Sequence, residues 1–478
     1  MVNKYNNKIY NYINYFTLAC IVPLGYFAPI GEWLLLSFLS IATLMNCLIN
    51  RTKINLSHLT IFLLAIFILL ISYYWSINQD RTIEVIGPLS GIIFGIYIIL
   101  NISSNTNIKS MDNLIGIPVI LTSILILSEI VLNTEIRSSL AILVGDQPTS
   151  KSANYSRGII LLTIIMPLSI TLYINNSKNF AAFFVLLLVS FVIFLGPNDS
   201  AKIALICSMI SFLIIYFLGP KSFIYFGIVS IIFILCLPII ATKIFPALSH
   251  IDKKFERIKL CTQSKIWETK SVIASKRYHV IINDKLKNNK NILKSLLELE
   301  KLELGTPVPL DMMKLLNDNN VKCSKILEWQ ETPEGSSIIH RLLVWEYVGK
   351  KILTKPILGH GVGTSRLIGQ NIILNIPNTS QEIKGAIPLH PHNNFLEIWL
   401  ELGLIGIIII SFLWIKIIKL GINIRKNSYV IGTGVCTSIV TIFVISNLSF
   451  GVFQAWWMAS VGLIFLVILQ AYKYEEQQ

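Results

Sequence analysis

Long apolar runs separated by short polar segments make up most of this chain. Most runs are about 17 to 25 residues long, which lets a helix cross a hydrocarbon core roughly 30 Å thick. The pattern predicts an all-α polytopic membrane protein with about twelve transmembrane helices. The predicted spans are 13–29, 33–49, 58–75, 86–102, 113–132, 156–173, 179–196, 201–218, 222–243, 395–415, 428–447 and 451–471.

The composition agrees with this pattern, because 54% of the 478 residues are hydrophobic and only 14% are charged. A soluble chain of this length would instead form two or three domains. No small-residue cleavage site precedes the second run, so we interpret the first run as an uncleaved anchor.

The positions of the positive residues predict the orientation better than the formal charge of +14, which taken alone would suggest nucleic acid or anionic lipid as a partner. The loops GPNDS (196–200) and NLSFGVFQ (447–454) contain no Lys or Arg. With a cytoplasmic N-terminus, the short loops on the cytoplasmic side hold Arg51, Lys53, Lys109, Lys178, Lys221, Lys416, Lys419, Arg425, Lys426 and Lys473. This positive-inside pattern predicts that both termini are cytoplasmic and that the long hydrophilic segment is exported.

Three regions follow from the pattern: an N-terminal membrane block over 1–243, an exported loop region over 244–394, and a C-terminal membrane block over 395–478. Within the loop region, 250–330 is charged and contains the run KNILKSLLELEKLEL, whose helical spacing predicts two or three amphipathic helices. Cys261 and Cys323 also lie there, and they either form a disulfide or remain two separate thiols.

Six of the seven histidines lie in the exported region, which directs the search for chemistry to that face. In HPHNNFLE, Asn394 followed three residues later by Glu397 has the spacing of a capping box with Asn394 as N-cap. His392 would then lie at the positive end of a helix, where protonation of an imidazole is disfavoured. A neutral histidine can accept a proton, so His392 is a candidate general base, although an ordinary interfacial histidine would fit the same pattern.

Two small residues and one acid follow in the same predicted helix. Gly403 and Gly406 would lie on one face and let a neighbouring helix come close. Glu401 is costly at that depth unless it is paired or faces an aqueous cavity, but it could also lie in the headgroup zone.

His392 and Asn393, followed after nine residues by Gly403 and after two more by Gly406, fit a signature of bacterial O-antigen ligases. The signature reads His, then Asn, Ser or Gln, nine residues, Gly, two residues, then Gly, Thr or Tyr. The chain therefore resembles this family, and in overall plan it also resembles O-antigen polymerases and protein O-oligosaccharyltransferases. The resemblance implies a GT-C-like glycosyltransferase architecture in the bacterial inner membrane, with one large, mostly helical periplasmic loop.

The resemblance also implies arginines that hold the pyrophosphate of the donor, since guanidinium matches phosphate oxygens bidentately. Arg341 resembles the arginine of the periplasmic loop, and Arg157, in the pattern Arg, three residues, Leu, resembles a second one. At the start of the eighth span, where relatives often have Ser-Arg, this chain has Lys202, so the second position stays open between Arg157 and Lys202.

The implied activity is transfer of a glycan from undecaprenyl pyrophosphate to a sugar hydroxyl on the lipid A core, with inversion. His392 would be the base, Asn393 would help position substrate, and no cofactor, metal or nucleic acid is required. The alternatives are an O-antigen polymerase, a protein O-oligosaccharyltransferase, and a non-catalytic glycolipid transporter or flippase.

Two further patterns have weaker readings. His390 and His392, with His360, could hold zinc, although no carboxylate or cysteine cluster accompanies them. The glycine-rich GHGVGTS (359–365) is either a phosphate-binding nest or a simple turn.

Overall fold

The protein is described from a computed structural model, which covers residues 2–50, 59–102, 110–132, 136, 139, 153–246, 278–281, 322–325, 337–375 and 382–477. Within these ranges the chain is mostly helical. The helices are α1 (Val2–Phe27), α2 (Gly31–Asn50), α3 (Leu59–Ile71), α4 (Gln79–Ile102), α5 (Met111–Val131), α6 (Ala153–Asn175), α7 (Asn179–Leu195), α8 (Asp199–Leu218), α9 (Pro220–Lys243), α10 (Ser337–Ile352), α11 (Ser365–Gly369), α12 (Asn394–Asn427), α13 (Tyr429–Leu448) and α14 (Ala455–Gln477).

Each predicted span overlaps one of the helices α1–α9 or α12–α14. Among the described residues, nine helices are long and apolar enough to cross a membrane, and α3 and α7 are shorter apolar helices. The predicted polytopic, helical class is therefore confirmed. The number of crossings, twelve, stays a prediction.

The chain divides into two compact units. The first comprises Met1–Ile239, Val348–Ile368 and Ile387–Gln478, and the second comprises Ile240–Tyr347 and Gly369–Ala386. This division differs from the predicted regions, because 348–368 and 387–394 lie with the membrane helices rather than with the loop region.

Helices α6, α13 and α14 form the interior of the first unit: 83%, 78% and 72% of their apolar windows are buried. Helix α13 packs against α6, α8 and α12, and α14 packs against α2 and α4. The start of α12 and the turn between α13 and α14 are thus supported by the most buried helices of the unit.

Local sequence signals explain several helix ends. Asn198 caps α8, since its side chain accepts a hydrogen bond from Ala201 N. Gly219, with φ of 70°, ends α8, and Pro220 begins α9 at the helical position where its missing N–H matters least. The sequence therefore turns the chain back on itself within one residue.

The second unit contains two short antiparallel strand pairs. Strand β1 (Tyr278–Ile281) pairs with β2 (Lys322–Lys325), and β3 (Ile373–Asn375) pairs with β4 (Glu382–Lys384). Within 250–330, where amphipathic helices were predicted, the structure describes only β1 and β2. The other residues of this range lie outside the described residues. Whether Cys323, in β2, pairs with Cys261 stays open, because Cys261 also lies outside them.

Candidate functional site

The imidazole of His392 is held in one orientation by residues 449–454, the turn that joins α13 to α14 (hereafter the 449–454 turn). His392 Nδ1 lies 2.7 Å from the carbonyl oxygen of Ser449. A carbonyl oxygen only accepts, so Nδ1 is the protonated nitrogen and the neutral ring keeps a lone pair on Nε2. The side chain is partly exposed, so Nε2 is suited to accept a proton from a bound molecule.

The backbone at His392 adopts an uncommon conformation, with φ of 55°, in the left-handed region that non-glycine residues rarely occupy. Its N–H donates to His390 Nδ1 at 3.1 Å, and the two rings lie 4.4 Å apart at 65°. The sequence offered His390 only as a zinc-ligand candidate, together with His392 and His360. In the structure it is buried and stabilises the strained backbone that presents His392.

Asn393, not Asn394, caps α12, so the predicted N-cap is wrong by one residue. Asn393 Oδ1 accepts from the N–H groups of Phe395 and Leu396, both at 3.0 Å, and its Nδ2 donates to the carbonyl oxygen of Asn447 at 3.1 Å. This side chain is 1% exposed and fully engaged within the protein. Asn393 therefore links the start of α12 to the end of α13, and its role in positioning a substrate stays a prediction.

Glu397 also has a different role from the predicted capping-box partner. With Asn393 as N-cap, Glu397 lies one residue beyond the capping-box position. Its carboxylate accepts from Val452 N at 2.5 Å and also from Phe453 N. A side chain at Gly451 would meet Glu397 Oε2 at 2.8 Å, so the turn can approach this closely only because residue 451 is glycine. Glu397 thus ties the 449–454 turn, and with it the acceptor of His392 Nδ1, to α12.

Arg157, near the start of α6, packs on Trp456, the second residue of α14. Its guanidinium carbon is 5.0 Å from the centroid of the Trp456 ring, and Trp456 packs against Phe450 with centroids 4.6 Å apart. Phe450 follows Ser449 directly. The fold therefore brings Arg157 and His392 to one short segment, although they are 235 residues apart in sequence (392 − 157).

Lys202 lies on the first turn of α8, whose start is joined to its neighbours by hydrogen bonds. Asn198 Nδ2 donates to Ser156 Oγ at 2.6 Å, and Ser200 Oγ donates to the carbonyl oxygen of Leu448 at 3.1 Å. Lys202 itself forms an ion pair with Asp199 at 3.4 Å. Both candidates for the second cation, Arg157 and Lys202, are therefore at the end of the bundle that holds the 449–454 turn.

Arg341 belongs to the second unit. It lies on α10, and its side chain is half-buried. Its role as a pyrophosphate ligand stays a prediction.

Gly403 was predicted to let a neighbouring helix pack closely. In the structure it instead breaks α12. Its φ is 61°, and a Cβ at this position would lie 2.3 Å from the carbonyl oxygen of Ile357. The chain segment before the glycine-rich loop enters this break, since Leu404 N donates to Pro356 O at 2.8 Å. Only glycine combines this backbone conformation with this approach. Gly406 lies beyond the break, and a Cβ there would meet side chains of α12 itself.

Glu401 is paired, and its partner is the glycine-rich loop. Its carboxylate accepts from Gly363 N at 2.7 Å, from Ser365 N at 2.9 Å and from Ser365 Oγ. The backbone adds a further bond, from Gly361 N to Glu401 O at 2.8 Å. The loop GHGVGTS does form an anion-binding nest, but a carboxylate of the same chain occupies it, which explains how Glu401 is accommodated at this depth.

His360 lies in this loop, away from the turn that holds His392. It is buried, its Nε2 is 3.2 Å from the carbonyl oxygen of Lys351, and its own carbonyl oxygen accepts from Ile77 N at 3.0 Å. Burial, together with the charges of Lys355 and Lys351, lowers the pKa of His360. Among the described residues no three His, Cys, Asp or Glu side chains are grouped so as to hold a metal ion.

Ser449 is the residue that sequence reasoning missed. It contributes its backbone carbonyl oxygen, so its side chain carries no signal of the role. Glu397 and Glu401 were noticed, but their partners come from loops that are distant in sequence.

Fold and site together define a polytopic helical membrane protein with a partly exposed histidine at the capped start of a long, broken helix. Residues 184–411 match the family model described as O-Antigen ligase. This range includes Lys202, Arg341 and His392 but not Arg157. The predicted resemblance to the O-antigen ligase family is thereby confirmed.

The curated relatives are rickettsial proteins. One of Rickettsia felis, named "Putative polysaccharide ligase", is 38% identical over 134 residues, which are 28% of this chain and 32% of the relative. Proteins of Rickettsia conorii and Rickettsia prowazekii with the same description are each 35% identical over 136 residues, with the same shares covered. The chain thus spans about a third of the length of the curated relatives it matches.

Proposed function

We propose that this protein is a membrane-embedded glycosyltransferase of the O-antigen ligase type. It would move a glycan from undecaprenyl pyrophosphate to a sugar hydroxyl on the lipid A core, with inversion and without a metal. The observation that carries this proposal is the geometry of His392, whose Nδ1 lies 2.7 Å from Ser449 O, so that Nε2 carries the lone pair of the neutral ring. The family match and the names of the rickettsial relatives support it.

In the proposed reaction, His392 Nε2 takes the proton of the acceptor hydroxyl as its oxygen attacks the anomeric carbon of the donor. The new C–O bond forms while the bond from that carbon to the pyrophosphate oxygen breaks, so undecaprenyl pyrophosphate leaves with the electron pair. The imidazolium that forms keeps its Nδ1–H bond to Ser449 O, and the carbonyl dipole stabilises its charge. Proton loss to water then restores the base.

Cations would stabilise the negative charge that builds on the departing pyrophosphate. Arg157 is favoured for one position because it lies on Trp456, which packs against Phe450 of the turn that holds His392. Lys202 is the alternative, and its ion pair with Asp199 would have to open first. Arg341 is proposed for the other position on the strength of the resemblance.

The proposed location is the bacterial inner membrane, with both termini in the cytoplasm and the loop region in the periplasm. The distribution of Lys and Arg supports this orientation. The start of α12 would then lie at the outer headgroup level, where a lipid-linked donor and a lipid-anchored acceptor can both present their reacting ends.

The test is extraction of lipopolysaccharide from cells that carry His392→Ala in place of the wild-type chain. We expect lipid A without long-chain glycan, and normal long-chain glycan would contradict the catalytic role. Ser449→Ala is the matched control, because it keeps the carbonyl oxygen that accepts from Nδ1, and it should retain ligation. Both variants are compared at equal amounts of protein in the membrane fraction.

The same cells separate the alternatives. Loss of a ligase leaves long polymer on the lipid carrier, loss of a polymerase leaves single repeats attached to lipid A, and loss of a protein transferase leaves lipopolysaccharide unchanged. Purified protein that converts lipid-linked glycan to product in detergent, without a gradient, would exclude a transporter.

A further inference from the structure

A groove of about 1000 Å³ runs along α12 inside the first unit. Helices α3, α4 and α14 form its other walls. On α12 it begins at Asn394 and ends at Asn423, so it extends along almost the whole helix. Between these ends the lining is mostly Ile, Leu and Phe, with residues such as Ile61, Phe62 and Ile410.

A groove of this kind does not stay empty in a membrane. Its apolar walls would lose their dispersion contacts if nothing filled it, and they offer water few hydrogen bonds. Hydrocarbon chains of lipids are the available filler at this depth. The apolar lining therefore selects a lipid, and the ends of the groove decide which one.

The end of the groove distant from His392 is positively charged. Lys416, Lys419 and Lys473 line it together with Asn423. Residues 416, 419 and 423 share one face of α12, because they follow at helical spacing. Lys416 is 22 residues beyond Asn394 (416 − 394), or roughly 30 Å at 1.5 Å per residue, which puts the lysines near the opposite membrane surface.

The surroundings of these lysines differ between α12 and α14. No ion pair is formed by Lys416 or Lys419 within the part of the chain that the structure describes. Lys416 Nζ instead lies 5.4 Å from the ring centroid of Phe412. One carboxylate, that of Glu476, acts on Lys473. Lys416 and Lys419 therefore bring two positive charges to this end of the groove without an ion-pair partner among the described residues.

We infer that this half of the groove is a binding site for an anionic phospholipid of the leaflet opposite His392. Its phosphate would lie among Lys416, Lys419 and Lys473, and its acyl chains would fill the groove between α3 and α12. A zwitterionic headgroup would bring its own cation to the lysines, so it fits less well. The end at Asn394 adjoins His392 and is left to the substrates, so the lipid site would hold whether or not His392 is catalytic.

The experiment uses the full chain in phosphatidylcholine nanodiscs that contain a small fraction of phosphatidylglycerol. Retained phosphatidylglycerol is counted by native mass spectrometry. We expect the wild type to retain phosphatidylglycerol above its share of the bulk lipid. The triple variant Lys416→Gln, Lys419→Gln, Lys473→Gln should retain it roughly a hundredfold less tightly, since each cation near a membrane surface contributes roughly a factor of five.

Two further variants keep the outcome decisive. Lys221→Gln with Lys426→Gln removes two exposed lysines of neighbouring helix ends that do not line the groove, and retention should be unchanged. Ala65→Phe fills the apolar part of the groove and keeps all three lysines, so it should also reduce retention, and it serves if the triple variant does not fold. Equal retention of phosphatidylglycerol by the wild type, the triple variant and Ala65→Phe would overturn the inference. Retention of both lipids by the wild type in proportion to their shares of the bulk lipid would also overturn it.

Discussion

The two halves of α12 treat their polar groups differently. Before the break at Gly403, the polar side chains of Asn393, Glu397 and Glu401 receive hydrogen bonds from backbone N–H groups. After the break, Lys416 and Lys419 face a groove rather than a carboxylate. Both halves are helical and adjoin in sequence, so their difference comes from their surroundings.

The difference indicates which part of α12 the protein fixes and which part it leaves to the membrane. Acid–base chemistry needs a base held in one tautomer and orientation, and protein loops supply that rigidity at the start of α12. The later half of α12 packs in the helix bundle, and lipid can fill the groove along it.

The largest effect is expected at the break itself. Gly403→Val adds a β-branched side chain at φ of 61°, where a Cβ would lie 2.3 Å from Ile357 O. We expect loss of folded protein, because strain and overlap with backbone together exceed about 4 kcal/mol. Gly87→Ala is the matched control, since a Cβ there meets nothing within 4 Å. Fluorescence-detected gel filtration of both variants tests this, and a monodisperse Gly403→Val peak would contradict it.

The next effect concerns the second cation of the proposed site. Arg157→Lys keeps the charge but loses the planar fork that lies on Trp456, and we expect ligation to fall roughly a hundredfold. Lys202→Gln should reduce ligation only a few fold if Arg157 fills the position. The readout is initial rate with a purified lipid-linked donor. The opposite ranking of the two variants would assign the position to Lys202.

Removal of the Glu397 carboxylate should loosen the 449–454 turn. Glu397→Ala leaves the partly buried N–H groups of Val452 and Phe453 without this acceptor, which costs about 1 kcal/mol of unfolding free energy. Glu397→Gln keeps one acceptor oxygen, so it should cost less. The exposed Glu84→Ala, with a side chain 64% exposed, should change stability by less than about 0.5 kcal/mol. Denaturant titration in detergent ranks the three variants. Equal stability of Glu397→Ala and Glu84→Ala would show that the hydrogen bonds of Glu397 to the 449–454 turn do not stabilise the fold.

The smallest effect concerns pH and the glycine-rich loop. The folded-state pKa of His360 lies below the ordinary value of 6.5, so the unfolded chain binds more protons at mildly acidic pH. The contribution of His360 to the free energy of unfolding should therefore be fully present above pH 6.5. It should decline as the pH falls toward the folded-state pKa. His360→Gln, which can still donate to Lys351 O, should show a shallower decline. Unfolding temperatures at about pH 7.5 and about pH 5.5 test this, and identical slopes for both proteins would exclude His360 as the source.

Much of the architecture could be predicted from the sequence, because a membrane span is recognisable as a local run of apolar residues. Each apolar run overlaps a helix, and the spacing of His392, Gly403 and Gly406 indicated the family. The cap was predicted one residue late, since both Asn393 and Asn394 are good N-caps and only the backbone geometry separates them. Gly403 was expected to favour helix packing, and nothing local indicates that Pro356 and Ile357 enter its break.

The sequence alone thus determined the class of protein, the approximate spans, the histidine and its family signature. These depend on hydropathy and on spacing within one helix, both of which are local. The tertiary structure decided which nitrogen of His392 carries the proton, why Glu401 is tolerated, and that Arg157 packs on Trp456. Those properties depend on Ser449, the 359–365 loop and Trp456, which come from parts of the chain distant in sequence and meet only when the helices pack.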